Sequence, residues 1–299
     1  MKILVTGGSG FIGSHIVEHF QGRAEVRVLD NLRSGHRHNL AGLECDFREG
    51  SILDRAAVRS ALEGVDYAFH LAAMISVPES MQKPIECVEL NALGTLLVLE
   101  EAARAGVKKL VFSSSAAIYG DNPVTPKVET MVPEPKSPYA VTKLDGEYYC
   151  RMFTAEGRLA TAALRYFNVF GPRQDPRSAY AAAVPIFVHQ ARRHEPIRIF
   201  GDGGQTRDFI FVKDIAAANA HFALHDSATG VFNVAYGGQT SVLELARTII
   251  QLTGSRSVIE HAPERAGDVR HSVAAIDRLR QTGFVPQGSL AEGLRLTLA

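Results

Sequence analysis

The chain has 299 residues, 46% of them hydrophobic, and its 32 Lys and Arg balance 32 Asp and Glu to a formal net charge of zero. That length buries a large core, as one big α/β unit or two smaller ones sharing a cleft, while the balanced charge supplies no field that would draw the chain to nucleic acid or an anionic membrane, so a small-molecule ligand fits better. Cys45, Cys87 and Cys150 are scattered without CxxC or Cys/His spacing, which argues against a disulfide framework or metal site and for buried reduced thiols.

The N-terminus "MKILVTGGSG" carries one lysine and too short an apolar run for a secretory signal or a membrane span, so a cytoplasmic location is expected. The first strand, "KILVT" (2–6), runs into "VTGGSGFIGSHIVEHF", where Gly7, Gly10 and Gly13 precede an amphipathic helix opened by Phe11 and Ile12. A tight strand-to-helix turn of this kind brings backbone close to a pyrophosphate and aims amide donors at it from a positive helix end. The next strand, "EVRVLD" (25–30), ends on Asp30, about twenty residues on, where a carboxylate accepts both adenosine ribose hydroxyls. Read alone, Asp30 would only begin the turn "DNLRSG"; after a glycine loop it repels a 2′-phosphate and favours NAD over NADP. Arg33 softens that preference without reversing it.

Further strands follow at "YAFHLA" (67–72), "KLVFSS" (109–114) and "LATAALRYF" (159–167), separated by helix-like stretches that include the apolar "CVELNALGTLLVLEEAARAG". This alternation predicts a parallel sheet wrapped by helices. Beyond Tyr166 the segments "NVFGPRQDPRSAY" and "FGDGGQTRDF" are rich in Gly, Pro and Arg, as expected of a smaller cap supplying ligand loops. The boundary falls between 1–165 and 166–299, with some later segments returning to the first unit.

In "SPYAVTK" (137–143), Tyr139 and Lys143 stand four apart on a predicted helix, so both lie on one face. A nearby ammonium lowers a phenol from about 10 by roughly one to three units, giving a base near neutrality. An isolated YxxxK would be better read as a helix start beside a solvated lysine. Here it accompanies the hydroxyl run "FSSSAAIYG" (112–120).

With "TGGSGFIG", "HLAA", "NALGT", "SSSAAIYG", "SPYAVTK", "RYFNVFGPRQ", "FGDGGQTRDFIFVKD" and "RAGDVRHS", essentially the whole chain resembles the extended short-chain dehydrogenase/reductase superfamily, and within it the nucleotide-sugar 4-epimerases of the UDP-glucose and UDP-N-acetylglucosamine type. The resemblance implies a Rossmann-like doubly wound parallel sheet with a smaller C-terminal α/β substrate-binding domain. It also implies a UDP-sugar substrate and NAD recycled within the enzyme. Ser115 would hydrogen-bond the reacting sugar oxygen, Tyr139 move its proton, and Lys143 hold the nicotinamide ribose. Cofactor contacts are implied for Gly7, Gly10, Phe11, Ile12, Gly13, Asp30, Asn31, Ser34, Gly35, Ser51, Ile52, Leu71, Ala72, Ala73, Asn91, Ser113 and Phe167, together with Tyr139 and Lys143. Ser51 stands where the family commonly has an acid near the adenine.

For the nucleotide sugar, Arg207 and Arg265 match diphosphate-binding arginines and Asp268 the acid that meets the uridine ribose. Asn168 would bond the diphosphate or sugar, Val184 and Phe200 would line the nucleotide side, and Ser76 and Ser80 are lesser candidates for sugar contacts. A small residue at Ser272 leaves room for a 2-acetamido group, which implies N-acetylhexosamine substrates beside hexoses. Relatives that eliminate water or carbon dioxide carry an acid just after the serine; Ala116 and Ala117 move no proton, which leaves alcohol oxidation and its reversal. A reductase or dehydratase of the same superfamily is the alternative. His36, His38, His70 and His271 show no paired carboxylate or metal spacing, and His70 is expected to be structural. The apolar helix at 87–106 and the Tyr139 helix are expected to pair with their symmetry mates in a homodimer.

Overall fold

A computed structural model describes residues 1–176, 182–264 and 270–299. Its first part runs β1 (Lys2–Thr6), α1 (Phe11–His19), β2 (Glu25–Asp30), β3 (Asp46–Glu49), α2 (Arg55–Leu62), β4 (Tyr67–His70), α3 (Val77–Gln82), α4 (Pro84–Val88), a π-helical turn (Glu89–Leu93), α5 (Gly94–Arg104), β5 (Lys109–Ser115), α6 (Pro138–Ala155) and β6 (Ala160–Tyr166). The second part runs β7 (Asn168–Phe170), α7 (Ala183–Arg192), β8 (Ile197–Phe200), β9 (Thr206–Arg207), β10 (Phe209–Phe211), α8 (Val212–Leu224), β11 (Gly230–Val234), β12 (Thr240–Ser241), α9 (Val242–Thr253), β13 (Ile259–Ala262), β14 (His271–Ser272), α10 (Asp277–Gln281) and α11 (Leu290–Leu298).

Seven parallel strands form the main sheet in the order β11-β6-β5-β4-β1-β2-β3. This is a Rossmann-like α/β fold, and the order reverses between β1 and β4, where such sheets open a ligand crevice. The strands are apolar at successive positions because both faces are covered. Ile3 and Val5 pack on one face with Ile16, Val17 and Phe20 of α1 and Phe222 of α8, whereas Leu4 packs on the other with Val58 and Leu62 of α2 and Val98 of α5.

Strand β4 stops at His70 rather than Ala72, because the amides of Leu71 and Ala72 turn onto the Thr6 hydroxyl, each at 3.3 Å. Two strands of the main sheet escaped the sequence pattern. The segment "DFRE" of β3 is short, polar and half-exposed at the sheet edge. In contrast, β11 crosses from the later half of the chain to pair with β6, with Phe232 opposite Leu164. The remaining strands form small sheets, β10-β7, β12-β9-β14 and β13-β8, around a second core of α7, α9 and α11.

Candidate active site

After β1 the chain must turn into α1 almost at once. Gly7 adopts φ +71°, and a Cβ on Gly13 would lie 2.2 Å from the Gly7 carbonyl oxygen, so only glycine lets the first turn of α1 pass this close to the loop. The turn floors a cavity of about 290 Å³. Its walls include Gly7, Gly10, Phe11, Ile12, Gly13, Asp30, Asn31, Ser34, Gly35, Ile52, Leu71, Ala72, Ala73, Ser113, Tyr139, Lys143 and Phe167. A glycine floor at a helix N-terminus, an acid at the end of β2 and a long apolar wall fit a dinucleotide. Asp30 is buried and accepts from the Ser9 amide at 2.9 Å and the Leu32 amide at 2.8 Å, one on each oxygen. Those two bonds hold the carboxylate rigid and leave further lone pairs for hydroxyl donors.

Two of the expected cofactor residues lie elsewhere. Ser51 turns its hydroxyl back to the Leu53 amide at 3.2 Å and is not in the cavity wall. Buried Asn91 accepts from the Met74 amide at 2.7 Å and donates to the Met74 carbonyl at 3.0 Å and the Thr142 hydroxyl at 3.1 Å. It clamps the loop after β4 to the start of α6.

The opposite end of the cavity carries the hydroxyl, phenol and amine. Ser137 caps α6 by accepting from the Ala140 amide at 3.2 Å, with Pro138 in the first turn, so Tyr139 enters at a fixed position. Its own amide donates to the Ser80 hydroxyl at 3.2 Å and its carbonyl accepts from Thr142 at 2.9 Å. One turn on, the Lys143 Nζ donates to the Ser113 carbonyl at 2.7 Å and stands 5.8 Å from the centre of the Tyr139 ring. Burial pushes the Lys143 amine down to about 8. Burial also pushes the Tyr139 phenol above its usual value, with a hydrogen bond to Ser115 acting the other way. The lowering expected from the YxxxK spacing is thus reversed in the chain by itself, because both groups lie in a low-dielectric pocket that disfavours the phenolate.

Ser115 ends β5 and caps the short helical turn Ala116–Tyr119, accepting from the Ala117 amide at 3.1 Å. That bond occupies a lone pair and leaves the hydroxyl proton to point elsewhere. The same residue joins the dinucleotide cavity to two further cavities, of about 380 and 820 Å³. Asn168 and Arg207 line both, Ser272 lines the smaller, and Val184 and Phe200 line the larger. Strand β14 places Ser272 directly opposite Arg207 of β9. The Ser76 hydroxyl instead caps α3 by accepting from the Glu79 amide at 3.1 Å, and Ser80 is buried beneath Tyr139. Arg265 and Asp268 lie outside the described residues.

Among the described residues that line these two cavities there is no carboxylic acid. The nearby Glu147 is buried and turned away: its oxygens accept from Arg165 at 2.8 and 2.7 Å and from the Ser114 hydroxyl. Arg165 also donates to the Tyr119 hydroxyl at 2.8 Å, which in turn donates to Asn233 of β11 at 2.7 Å. This network lies directly behind the serine run, and no local spacing signals it. Lys127, which lines the smaller cavity, was likewise missed, since it sits in an irregular loop. His70 bridges the Thr6 and Thr95 hydroxyls at 2.7 and 2.9 Å, a structural role. His36, in contrast, does face a carboxylate, Asp175, at 3.6 Å. No group of metal-ligating side chains occurs among the described residues.

Known proteins resemble this chain over nearly its whole length. Residues 3–235 match the model of the NAD dependent epimerase/dehydratase family. The chain is 37% identical to a UDP-glucose 4-epimerase of Mycolicibacterium smegmatis, over 100% of this chain and 97% of that one. Among solved structures, a UDP-N-acetylglucosamine 4-epimerase from Methanobrevibacter ruminantium, in complex with UDP-N-acetylmuramic acid, superposes with a TM-score of 0.96 at 40% identity, covering 99% of this chain and 96% of that one. A UDP-glucose 4-epimerase from Thermotoga maritima, solved with UDP-glucose, gives 0.94 at 41% identity, covering 100% and 97%.

Proposed function

Since the chain belongs to the NAD dependent epimerase/dehydratase family, we propose that it is an NAD-dependent UDP-sugar 4-epimerase, interconverting UDP-glucose with UDP-galactose and UDP-N-acetylglucosamine with UDP-N-acetylgalactosamine through a transient 4-keto sugar. The observation that carries this reading is a proton-handling set of Ser115, Tyr139 and Lys143 in a pocket whose described sugar-side walls hold no acid. Elimination or decarboxylation needs a further acid or base. Oxidation of one carbinol and its reversal needs only one proton taken and returned.

The glycine turn and Asp30 would hold NAD at one end of the cavity, and Lys143 with the backbone near Phe167 at the other. When bound, NAD supplies a hydride acceptor that becomes the hydride donor. Tyr139 Oη takes the proton of the C4 hydroxyl and, once the 4-keto sugar has turned to present its other face, gives it back to the ketone oxygen. Ser115 donates a hydrogen bond to that same oxygen in both directions, its own orientation set by the Ala117 amide. Lys143, anchored on the Ser113 carbonyl, favours the phenolate while it carries its proton. Arg207 would pair with the diphosphate, and Asn168 with the diphosphate or sugar, from the shared wall of the two cavities.

Purified protein given UDP-galactose or UDP-N-acetylgalactosamine without added cofactor should form the other epimer, followed by coupled assay or NMR. Absence of turnover on UDP- and dTDP-sugars by protein confirmed to hold NAD would overturn the proposal. A reductase, in contrast, would consume a supplied reduced cofactor stoichiometrically.

The proposed assembly is a homodimer in the cytoplasm. Val141, Tyr148 and Met152 are 41%, 43% and 55% exposed at helical spacing along α6, an apolar stripe suited to a second copy. No helix among the described residues is long and apolar enough to cross a membrane. A monomeric mass by light scattering at micromolar concentration would refute the dimer.

A further inference from the structure

Arg33 follows Asp30 in the loop after β2 and lines the same cavity. Of the described residues in that wall, only Arg33 and Lys143 are cationic, and Lys143 stands at the far end beside Tyr139. A dinucleotide with a 2′-phosphate would therefore look to Arg33 for its counter-charge. That guanidinium is already engaged. Its Nη2 donates to Glu79 Oε1 at 2.8 Å and its Nη1 to Glu86 Oε1. The two acids belong to α3 and α4, and Lys83 between them lies 3.8 and 3.7 Å from the same carboxylates. The Glu86 carboxyl is held below its ordinary range, chiefly by its hydrogen bond from Arg33, and Arg33 is raised chiefly by the same bond. The clasp is thus mutual, and it spans 46 and 53 residues of sequence.

We propose that Glu79 and Glu86 set the cofactor preference by sequestering Arg33, so that the Asp30 end of the cavity presents no available cation to an adenosine 2′-phosphate. Asp30 opposes the phosphate directly, and the clasp engages the one cation that the described residues place at this end of the wall. The preference for NAD is therefore distributed over three separated pieces of chain: the β2 loop, α3 and α4. The inference rests on the dinucleotide reading of this cavity and concerns selection between dinucleotides, not turnover.

Holoprotein is equilibrated with equal excesses of NAD and NADP, freed of unbound nucleotide, and its bound nucleotides are released by heat and quantified by chromatography. Wild-type protein should retain NAD almost alone. A Glu79→Gln/Glu86→Gln variant should raise the bound NADP:NAD ratio by roughly ten-fold, the size of one charge-assisted hydrogen bond. Adding Arg33→Gln to that pair should return the ratio to its wild-type level. An unchanged ratio in the double variant, or an increase that survives Arg33→Gln, would overturn the clasp. If the double variant fails to fold, Glu86→Gln alone decides: freeing one side of the guanidinium predicts a raised NADP:NAD ratio, and an unchanged ratio refutes the proposal. Wild-type protein that holds neither dinucleotide would instead defeat the functional reading itself.

Discussion

Lys143 donates from Nζ to the carbonyl of Ser113 at 2.7 Å, joining α6 to the strand that ends in Ser115. That bond ties the helix bearing the amine and the phenol to the strand bearing the hydroxyl, two residues beyond its acceptor. Replacing Tyr139 with Phe keeps the ring and its packing but removes the group that holds the proton. Turnover should fall by about 10²- to 10⁴-fold, with retained NAD and melting temperature near wild type. A Tyr139→Phe enzyme of ordinary kcat would show that another group moves the proton.

Gly13→Ala tests the cofactor turn. The new Cβ would sit 2.2 Å from the Gly7 oxygen and 2.8 Å from the Gly8 Cα, both backbone atoms that cannot swing aside. Strain of about 1–3 kcal/mol corresponds to a roughly 5- to 150-fold loss of NAD retention, if the loop absorbs it. Nucleotide released from equal amounts of purified protein measures this directly, and unchanged content would mean that the loop relaxes freely.

Glu147 and Arg165 have side chains only 3% and 4% exposed and satisfy each other through two hydrogen bonds. Removing one charge strands the other, so Glu147→Gln should cost about 3–5 kcal/mol in denaturant unfolding. Because Ser114 and Tyr119 also bond to this pair, the variant should lose kcat even where it remains folded. Stability within 1 kcal/mol of wild type, as judged on the scale of surface substitutions, would contradict the role assigned to the pair.

Ser272 lines the smaller sugar-side cavity opposite Arg207. Ser272→Tyr should reduce kcat/KM on the UDP-N-acetylhexosamines about ten- to two-hundred-fold more than on UDP-glucose, the range of steric discrimination in a pocket. Equal losses on both substrates would remove Ser272 as a determinant of the acetamido group.

Burial pushes His70 down to about 3 from its ordinary 6.5. Between those values the unfolded chain binds a proton that the folded chain refuses, so this contribution to stability is complete above pH 6.5 and is lost as pH falls toward 3. Once the unfolded histidine is fully charged, each pH unit removes about 1.4 kcal/mol. Unfolding free energies from pH 6.5 to 4.5 should fall less steeply in His70→Gln than in wild type. Parallel slopes would place the titration elsewhere, with His15, held near 4, the next to examine.

Local chemistry was legible wherever neighbours in sequence remain neighbours in space. The glycine turn, Asp30 at the end of β2, Ser115 at the end of β5 and the Tyr139–Lys143 pair each sit within one element or one turn, and the structure brings them to one cavity. The same holds for Ala116 and Ala117, whose inability to move a proton follows from composition alone. Ser51 and Asn91 show the limit of position within a motif: one bonds back into its own loop, and the other clamps two segments together behind the wall.

Sequence pattern alone marked the parallel strands at 2–6, 25–30 and 109–114, the last of which runs on to Ser115, together with the dinucleotide turn and the reacting groups, because periodicity, backbone freedom and side-chain chemistry are local properties. Tertiary structure alone decided that β11 returns to flank β6, that Glu147 is neutralised by Arg165, that Arg33 is claimed by Glu79 and Glu86, and that the Tyr139 phenol is raised rather than lowered. Each depends on which distant segments meet and how much water they exclude, and the strength of a charge or hydrogen bond is set by that exclusion.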